Sequence, residues 1–398
     1  MSDVKQIKII DDMKSFVDNL ISEAIEYNAS DIHIEPQKDK VIIKFRIDGD
    51  LYIFYDIWKD YFEALVSRIK LLASIKIDEK RLPQDWQIIF SYKWQDVDIR
   101  VSTFPTLFGE KIVLRILKKD YSLLNIESLG FLNINLKLIK KWLNHKEWLI
   151  LVSWPTGSWK TTTLYAMLNY FDPKKYNIST LEDPVEYTLP GINQSQINPS
   201  IWYTFSSWLR SLLRQDPDII LVWEIRDLET AKLAMEAALT WHLVLATIHA
   251  NRWIWVIERL LNFGLEPYLV ASALKLIVSQ RLVKKLCDCA VSTKISSEEE
   301  KIFEKYLWPI YNSIKKRNFK KPVWCQKCFN SWYKWRLWLH EVIYIDKDFS
   351  KFISSWQLNE KLFEDLMIQK WFLTLFQDWL IKVILWYTTL DKVLPYKD

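Results

Sequence analysis

The pattern of apolar and polar residues changes character once along the chain. Between residues 10 and 28, apolar residues recur every three or four positions, which predicts an amphipathic helix. The segments DIHIEP and VIIKFRIDGD then alternate like strands, with Asp48-Gly49 as a turn signal. A second predicted helix over residues 61–75 and two further strands, DVDIRVSTF and KIVLRIL, complete an α+β domain over residues 1–120.

From about residue 146 the pattern becomes a repetition of strand, loop and helix. Helical patterns such as LETAKLAMEAAL separate short apolar runs that each end in polar residues: LILVS, NISTLED, DIILVWEIRD and HLVLATIHAN. Such runs are typical of buried parallel strands with functional groups at their carboxyl ends. The sequence therefore predicts an α/β fold.

Composition and charge narrow the class of protein. The net charge of +5 over 398 residues is modest and argues against a dedicated nucleic-acid binder. The N-terminus has charges among its apolar residues, unlike a secretory signal, and no window reaches the roughly 18 apolar residues of a membrane span. Four cysteines in a chain of this length do not suggest an extracellular disulfide framework. We therefore expect a cytoplasmic protein.

The glycine content is abnormal. The chain has six glycines, whereas the average usage of about 7% predicts roughly 28. It has 22 tryptophans, and the six glycines and 22 tryptophans together make 28 residues. Composition alone therefore suggests that tryptophan stands where glycine belongs.

The segment WPTGSWKTTT follows a predicted strand and opens a predicted helix. With glycine at Trp154 and Trp159 it reads G-x-x-x-x-G-K-T, the P-loop pattern, in which backbone N–H groups wrap the phosphates closely. Lys160 would then contact the β/γ-phosphates of ATP and Thr161 would ligate Mg²⁺. The predicted nucleotide-binding residues are Trp154, Pro155, Thr156, Gly157, Ser158, Trp159, Lys160, Thr161 and Thr162. The alternative is an ordinary strand–turn–helix with a chance Lys-Thr.

Acidic residues end two later apolar runs. Glu224 lies at the tip of DIILVWEIRD, where it could contact a Mg²⁺-bound or attacking water. Glu182 and Asp183 lie in LEDPVEY, where an acidic cluster could polarise water or hold Mg²⁺. A solvated loop is the alternative for the second segment.

The cysteines form two close pairs, Cys287 with Cys289 and Cys325 with Cys328. Two clustered pairs in a cytosolic chain suit a tetrahedral zinc site with four thiolate ligands. Reduced cysteines without metal are the alternative.

Four of these segments resemble, in order, the Walker A, aspartate-box, Walker B and histidine-box segments of the type II secretion and type IV pilus assembly ATPases. They are WPTGSWKTTT, LEDPVEY, RQDPDIILVWEIRD and ALTWHLVLATIHAN. The resemblance extends over about residues 20–395 through further segments: ASDIHIEP, RLPQDWQI, DVDIRVSTFPTLFGEKIVLRIL, QRLVKKLC, WYKWRLWLHEV and WFLTLFQDWLIKVILWYTTLDKVL.

The tryptophans fall on the glycines of this family. At 18 tryptophan positions the family pattern has glycine, and the remaining four are Trp58, Trp142, Trp308 and Trp356. A gene in which UGA encodes glycine, translated with UGA as tryptophan, explains this selectivity. The alternative is a family member that carries tryptophan in its P-loop.

The resemblance also implies roles for individual residues. It makes Glu224 the Walker B acid and Glu182 or Asp183 the water-polarising acid. Arg210 and Arg214, four apart and so on one helical face, match arginines that reach a neighbouring subunit's nucleotide. His249 matches the histidine that senses the γ-phosphate, with His242 nearby. The family's zinc module usually has C-x-x-C on both sides, whereas the first pair here is C-x-C.

The implied fold is a RecA-like P-loop ATPase core with an N-terminal α+β domain and a small four-cysteine zinc insertion. The predicted divisions are an N-terminal domain (1–120), a linker and first helix (121–145), the ATPase core (146–284), the zinc insertion (285–340) and a C-terminal helical region (341–398).

The implied function is that of a homo-hexameric ATPase at the cytoplasmic face of the inner membrane. It would act on a membrane platform protein and, indirectly, on pilin-like subunits, with ATP, Mg²⁺ and structural Zn²⁺ bound and no direct nucleic-acid partner. The alternatives are a pilus-retraction motor, a DNA-uptake or conjugation motor, and an inactive structural ring if the tryptophans are real.

Overall fold

A computed structural model describes most of the chain. The described residues are 4–7, 12–117, 121–145, 147–153, 160–186, 188–198, 204–250, 252–307, 311, 319–321, 323, 325, 328, 332–355 and 360–390, with the backbone alone at 6, 7, 121, 122, 160 and 360. The chain divides into two units. The first comprises Met1–Lys119 with Val323–Trp335, and the second comprises Asp120–Pro322 with Arg336–Asp398.

The first unit is built on a seven-stranded sheet with two helices. Its elements are β1 (Lys5–Ile7), α1 (Met13–Glu26), β2 (Asp31–Pro36), β3 (Lys40–Ile47), β4 (Asp50–Trp58), α2 (Phe62–Leu72), β5 (Gln84–Tyr92), β6 (Gln95–Thr106) and β7 (Gly109–Leu117), with a 3-10 turn at Lys59–Tyr61. The spatial order is β1-β4-β3-β2-β7-β6-β5. Apart from the parallel pair of β1 and β4, neighbouring strands are antiparallel.

Helical periodicity explains how this unit forms its core. Helix α1 buries Val17, Leu20 and Ile21 on one face, and α2 buries Leu65 and Ile69. These side chains pack with the buried residues of the sheet in a single cluster. The two predicted helices and the α+β character of this region are confirmed.

The second unit is built on a further seven-stranded sheet. Its strands are β8 (Trp148–Ser153), β9 (Ile178–Glu182), β10 (Asn193–Gln196), β11 (Ile219–Val222), β12 (Leu243–Ile248), β13 (Leu274–Leu286) and β16 (Tyr333–Tyr344, which belongs to this unit from Arg336 onward), in the order β10-β9-β11-β12-β8-β13-β16. A separate antiparallel pair joins β14 (Val291–Thr293) and β15 (Phe319–Lys321).

Ten helices of the second unit lie among the described residues. They are α3 (Asn133–Leu143), α4 (Lys160–Leu168), α5 (Phe205–Leu212), α6 (Leu228–Leu239), α7 (Trp253–Asn262), α8 (Pro267–Ala273), α9 (Ser297–Leu307), α10 (Lys347–Ser354), α11 (Glu360–Gln369) and α12 (Leu375–Ile384), besides 3-10 turns at Tyr121–Leu124 and Ile126–Leu129. In the described part of the chain, no helix combines the length and the apolarity needed to cross a membrane.

The centre of this sheet is parallel and covered on both faces. Each neighbouring pair from β10 to β13 in the spatial order is parallel: β10 with β9, β9 with β11, β11 with β12, β12 with β8, and β8 with β13. Along β8, Leu149 and Leu151 contribute to one hydrophobic cluster, whereas Ile150 and Val152 contribute to another. Because successive side chains point to opposite faces, a strand covered on both sides must be apolar throughout. The predicted α/β class is confirmed.

The C-terminal part of the second unit encloses a charged group. Asp378 and Lys382, one turn apart on α12, are 0% and 1% exposed and join through Nζ and Oδ2 at 2.8 Å. Lys382 Nζ also donates to the carbonyl of Trp338 at 2.7 Å and lies 3.4 Å from His340 Nδ1. His340 is fully buried and stacks on Phe131 with ring centroids 3.7 Å apart. Hydrogen bonds within the protein therefore replace water at Lys382 Nζ and at Asp378 Oδ2, which also accepts from the backbone N–H of His340.

Candidate functional site

The register of the parallel strands brings four strand ends to one edge of the second sheet. Ser153, the last residue of β8, pairs with Ile248, the last residue of β12. Val222 at the end of β11 pairs with Ala246 on one side and Leu181 on the other. Side chains that follow these strands therefore meet at the carboxyl edge, which is the usual ligand-binding edge of such sheets.

Thr161 lies on the helix that follows β8. Helix α4 begins at Lys160, and the Thr161 side chain is 7% exposed. Its Oγ1 accepts a hydrogen bond from the indole Nε1 of Trp223 at 3.3 Å. The described residues do not include 154–159, which are predicted to wrap the phosphates, or the side chain of Lys160. The strand-to-helix context that the P-loop pattern requires is present on both sides of them.

Glu224 is the acid at the end of β11, and it is 3% exposed. Its Oε1 lies 2.9 Å from His249 Nε2, and its Oε2 accepts from Arg226 Nε at 2.7 Å. The backbone on either side is fixed, because Trp223 N donates to Leu181 O and Ile225 N donates to Thr247 O. The predicted Walker B acid and the predicted γ-phosphate-sensing histidine therefore contact each other directly.

Glu182 ends the neighbouring strand β9 and is fully buried. Its carboxylate accepts from Thr180 Oγ1 at 2.6 Å, from Gln194 Nε2 at 3.0 Å and from the hydroxyl of Tyr165. Burial raises the pKa of Glu182 above its ordinary value, and the three hydrogen bonds oppose that rise. Because all three donors are neutral, this acid has no cationic partner among these contacts, unlike Glu224.

Sequence reasoning did not identify Arg226. Its guanidinium pairs with Glu224 and also reaches Asp183 Oδ2 at 3.4 Å, so it links the acids of two strand ends. It lies 5.8 Å from the centre of the Trp223 ring and is half exposed. The sequence signal was proximity alone, since Arg226 follows the predicted Walker B acid by two residues in the segment beyond the end of β11.

Within the described part of the chain, the contacts of Arg210 and Arg214 are with Glu229 of α6 and with groups of α5, and not with the buried acids at the strand ends. Arg210 lies on α5, is half exposed and pairs with Glu229 of α6. The prediction that both arginines share a helical face is wrong, because α5 ends at Leu212 and Arg214 lies in the following turn. Arg214 Nη1 donates to the carbonyl of Arg210 at 3.0 Å. Such a contact satisfies a carbonyl that a helix end leaves without a partner.

His242 lies at the opposite end of β12 from His249. Its Nδ1 is 2.9 Å from the carbonyl oxygen of Ala237 near the end of α6. The two histidines of the box are therefore separated by the length of the strand, and His249 alone contacts Glu224.

The four cysteines come together. The Sγ atoms of Cys287, Cys289, Cys325 and Cys328 all lie within 4.8 Å of one another. Zn–S bonds are about 2.3 Å long, so four sulfurs this close can surround one ion with little movement. Cys287 and Cys328 are buried, and none of the four forms a disulfide.

The chain matches a known protein family over nearly its whole length. A family model described as "Type II/IV secretion system protein" matches residues 9–395. Type II secretion system protein E of Aeromonas hydrophila is 39% identical over 379 residues, which are 95% of this chain and 74% of that protein. The type IV pilus assembly ATPase PilB of Thermus thermophilus is 40% identical over 382 residues, which are 96% of this chain and 42% of that protein.

Solved structures share the fold at lower sequence identity. The ATPase DotB of Legionella pneumophila superposes with a TM-score of 0.70 at 17% identity and covers 99% of both chains. The pilus retraction motor PilT with bound ADP superposes with a TM-score of 0.64 at 24% identity and covers 96% of both chains. At these identities the likeness establishes the architecture and not the activity. The family resemblance and the fold class expected from the sequence are both confirmed.

Proposed function

This chain belongs to the type II/IV secretion system protein family, and from that premise we propose that it is an ATPase that powers assembly of a type IV pilus or a type II secretion pseudopilus. The observation that carries this proposal is the group at the carboxyl edge of the second sheet. There a buried acid, Glu224, contacts His249, and a buried hydroxyl, Thr161, follows the segment with P-loop spacing.

Nucleotide is proposed to bind at the turn between β8 and α4. Residues 154–159 would present backbone N–H groups to the phosphates, with Lys160 against the β- and γ-phosphates. Thr161 and the nearby carboxylates are oxygen ligands of the kind that Mg²⁺ prefers. When bound, Mg²⁺ neutralises negative charge on the phosphates.

Glu224 is proposed to orient the attacking water. Its burial and its contacts with His249 and Arg226 hold the carboxylate in one position, so little reorganisation is needed during reaction. His249 is proposed to respond to the γ-phosphate, and its contact with Glu224 supports this role because it would couple the two side chains. Glu182 is the alternative water-polarising acid, and Asp183 lies within reach of the same Arg226.

The ring assembly and the arginines that act across its interface are also proposals. We propose a homo-hexamer in which Arg210 and Arg214 approach the nucleotide of the neighbouring subunit. The half-exposed guanidinium of Arg210 supports this role, because its partner Glu229 is an equally exposed side chain that it can leave at little cost. The local capping contact makes Arg214 the weaker of the two candidates.

The arginine assignment predicts complementation between two inactive chains. Lys160→Ala subunits lack the phosphate-binding lysine, and Arg210→Ala subunits lack the arginine that would reach the neighbour's nucleotide. In mixed rings, some interfaces would combine Lys160 of one subunit with Arg210 of the next, and those interfaces should recover part of the ATPase activity. A ring that forms but recovers no activity at any mixing ratio would contradict the assignment.

The four cysteines are proposed to hold one structural Zn²⁺, as their mutual distances allow. The proposed domains remain those expected from the sequence, with the ATPase core at 146–284 and the zinc insertion at 285–340. Elemental analysis of the purified chain should find about one zinc per subunit, and Cys325→Ser should remove it without abolishing nucleotide binding.

Assembly is preferred to the other motor functions. The relatives that match at about 40% identity are named for secretion or pilus assembly, whereas the likeness to the retraction motor lies at 24% identity. We propose that the chain acts at the cytoplasmic face of the membrane on a platform protein that supplies pilin-like subunits. Retraction and DNA-uptake motors remain the second candidates, since they share the P-loop chemistry.

The ATPase proposal is tested by nucleotide binding and hydrolysis in the chain that carries glycine at the 18 tryptophan positions. Hydrolysis should be readily measurable, and Lys160→Ala should abolish it together with tight ATP binding. Lys232→Ala, at an exposed position of α6, is the matched control and should leave both unchanged. A folded chain that neither binds nor hydrolyses ATP would overturn the proposal in favour of a structural ring.

A further inference from the structure

Seven tryptophans have a backbone conformation that tryptophan strongly disfavours. Among the described residues, 12 that are not glycine have positive φ, and seven of those 12 are tryptophans. The seven are Trp94, Trp148, Trp241, Trp332, Trp335, Trp371 and Trp386, with φ between 59° and 103°. A Cβ clashes with the backbone in this region, which glycine enters freely. The set was selected by backbone geometry alone, yet all seven are among the 18 family glycine positions.

Two of these tryptophans end helices. After α12, Trp386 N donates to Val383 O and the next N–H, that of Tyr387, donates to Lys382 O. This pair of bonds defines the Schellman motif, whose left-handed residue is usually glycine. Helix α11 ends in the same way at Trp371, with bonds from 371 to 368 and from 372 to 367.

Three other helices end in the same motif and provide an internal comparison. The left-handed residue is Asn28 after α1, Ser74 after α2 and Gly264 after α7, each with the same two hydrogen bonds. A Cβ on Gly264 would meet nothing closer than 3.7 Å, so backbone conformation and not space accounts for glycine there. Among the five described helices that end in this motif, the left-handed residue is therefore asparagine, serine or glycine wherever it is not tryptophan.

Two hairpins with two-residue turns can be compared in the same way. Between β3 and β4, Asp48 and Gly49 both have positive φ, as a type I′ turn requires, and Asp-Gly is a favoured pair for it. Between β5 and β6, Lys93 and Trp94 have positive φ in the equivalent places. Trp94 therefore occupies the position that Gly49 fills in the first hairpin.

Packing does not compensate for the strained backbone. The indole of Trp94 is fully exposed, and those of Trp241 and Trp371 are 77% and 64% exposed. A large aromatic side chain contributes to stability through burial, and these side chains have little of it. Both the backbone and the side chain therefore favour glycine at these places.

We infer that the cell inserts glycine at these seven positions by reading UGA codons as glycine, and that tryptophan is written there because UGA was translated as tryptophan. Trp148 makes the case most sharply, because its φ of 103° lies beyond the left-handed helical region that asparagine and serine can share. The same codon reading would place glycine at Trp223, whose indole otherwise engages the hydroxyl of Thr161. The inference concerns what the chain is made of, and it stands or falls independently of the proposed ATPase function.

Peptide mass spectrometry of the protein from its native cells tests the inference without any need for refolding. Trypsin releases residues 94–100 and 371–382 as separate peptides, since Lys93 and Lys370 precede them. Residues 94–100 should be lighter by one tryptophan–glycine mass difference, at position 94. Residues 371–382 should be lighter by two, at positions 371 and 379, because Trp379 is also among the 18 family glycine positions. Tryptophan at position 94 or 371 would overturn the inference, as would TGG codons at the seven positions in the gene.

Stability of single variants gives a second test in the chain with tryptophan as written. Trp94→Gly should raise Tm by roughly 2–4 °C, because it relieves a strained turn and removes no buried contact. The control is Trp58→Gly, since Trp58 is also exposed but has φ of −64°, and it should give no increase. Equal or lower stability of Trp94→Gly would contradict the proposed conformational cause.

Discussion

The second unit contains two groups that each combine a carboxylate, a basic side chain and a histidine. One comprises Glu224, Arg226 and His249, and the other comprises Asp378, Lys382 and His340. In the first, only the carboxylate is buried, whereas Arg226 is 51% exposed and His249 is 28% exposed. In the second, all three side chains are at most 1% exposed. The same chemical groups therefore occupy opposite environments.

The difference teaches that burial and not residue type separates a reactive site from a structural one. A ligand can reach His249 and Arg226 and can compete for their contacts with Glu224. The enclosed group has no such access, and the pKa values of its members respond to burial, which raises the pKa of Asp378 and lowers the pKa of His340 and of Lys382. We therefore propose a role in catalysis for the first group and a role in stability for the second.

The largest expected effect lies in the enclosed group. Lys382→Met leaves the buried Asp378 carboxylate without its cation, and breaking such a pair typically lowers the free energy of unfolding by about 3–5 kcal/mol. Denaturant unfolding measures this loss. The matched control is Lys232→Met, because Lys232 pairs with Glu236 at the same helical spacing on an exposed face and should lose at most ~0.5 kcal/mol. Equal losses in the two variants would remove the distinction between the groups.

Glu182 should give an intermediate effect that depends on pH. Its folded-state pKa is raised by burial, so the folded chain keeps the proton to higher pH than the unfolded chain does. Stability should therefore fall as the pH rises from about 4.5 through the folded-state pKa, and Glu182→Gln should lack this fall. Unfolding of both chains across that pH range measures it. Parallel curves would show that Glu182 has an ordinary pKa.

The smallest expected effect on stability is at Arg226. Because its guanidinium is half exposed, Arg226→Gln should change the free energy of unfolding by no more than about 1 kcal/mol. A loss as large as that of Lys382→Met would place Glu224 in an enclosed structural pair instead of an accessible site.

Sequence patterns predicted those parts of the site that depend on local structure. Glu182, Glu224 and His249 each follow an apolar run, and parallel strands carry such residues to a common edge. The structure places Glu224 and His249 in contact, as that reasoning implies.

The contacts that sequence reasoning missed depend on packing between elements. The bond from Tyr165 to Glu182 requires α4 to lie against β9, and Arg226 reaches Asp183 only because two strand ends are adjacent. Asp378 and Lys382 have the spacing of an ordinary surface pair, and nothing local shows that their helix face is enclosed. The glycine hypothesis, in contrast, came from the sequence, because composition suggested it. The backbone dihedral angles then identified individual positions.

The most direct test of the account compares Glu224→Gln with Asp378→Asn in the glycine form of the chain, with ATP turnover and unfolding free energy measured on the same preparations. Glu224→Gln should bind ATP and keep its stability but hydrolyse ATP at least ~100-fold more slowly, a loss of about 2.7 kcal/mol in transition-state stabilisation. Asp378→Asn should lose stability, while the molecules that remain folded turn over normally. Near-normal turnover in Glu224→Gln, or a specific loss of turnover in folded Asp378→Asn, would contradict the assignment of chemistry to the accessible group.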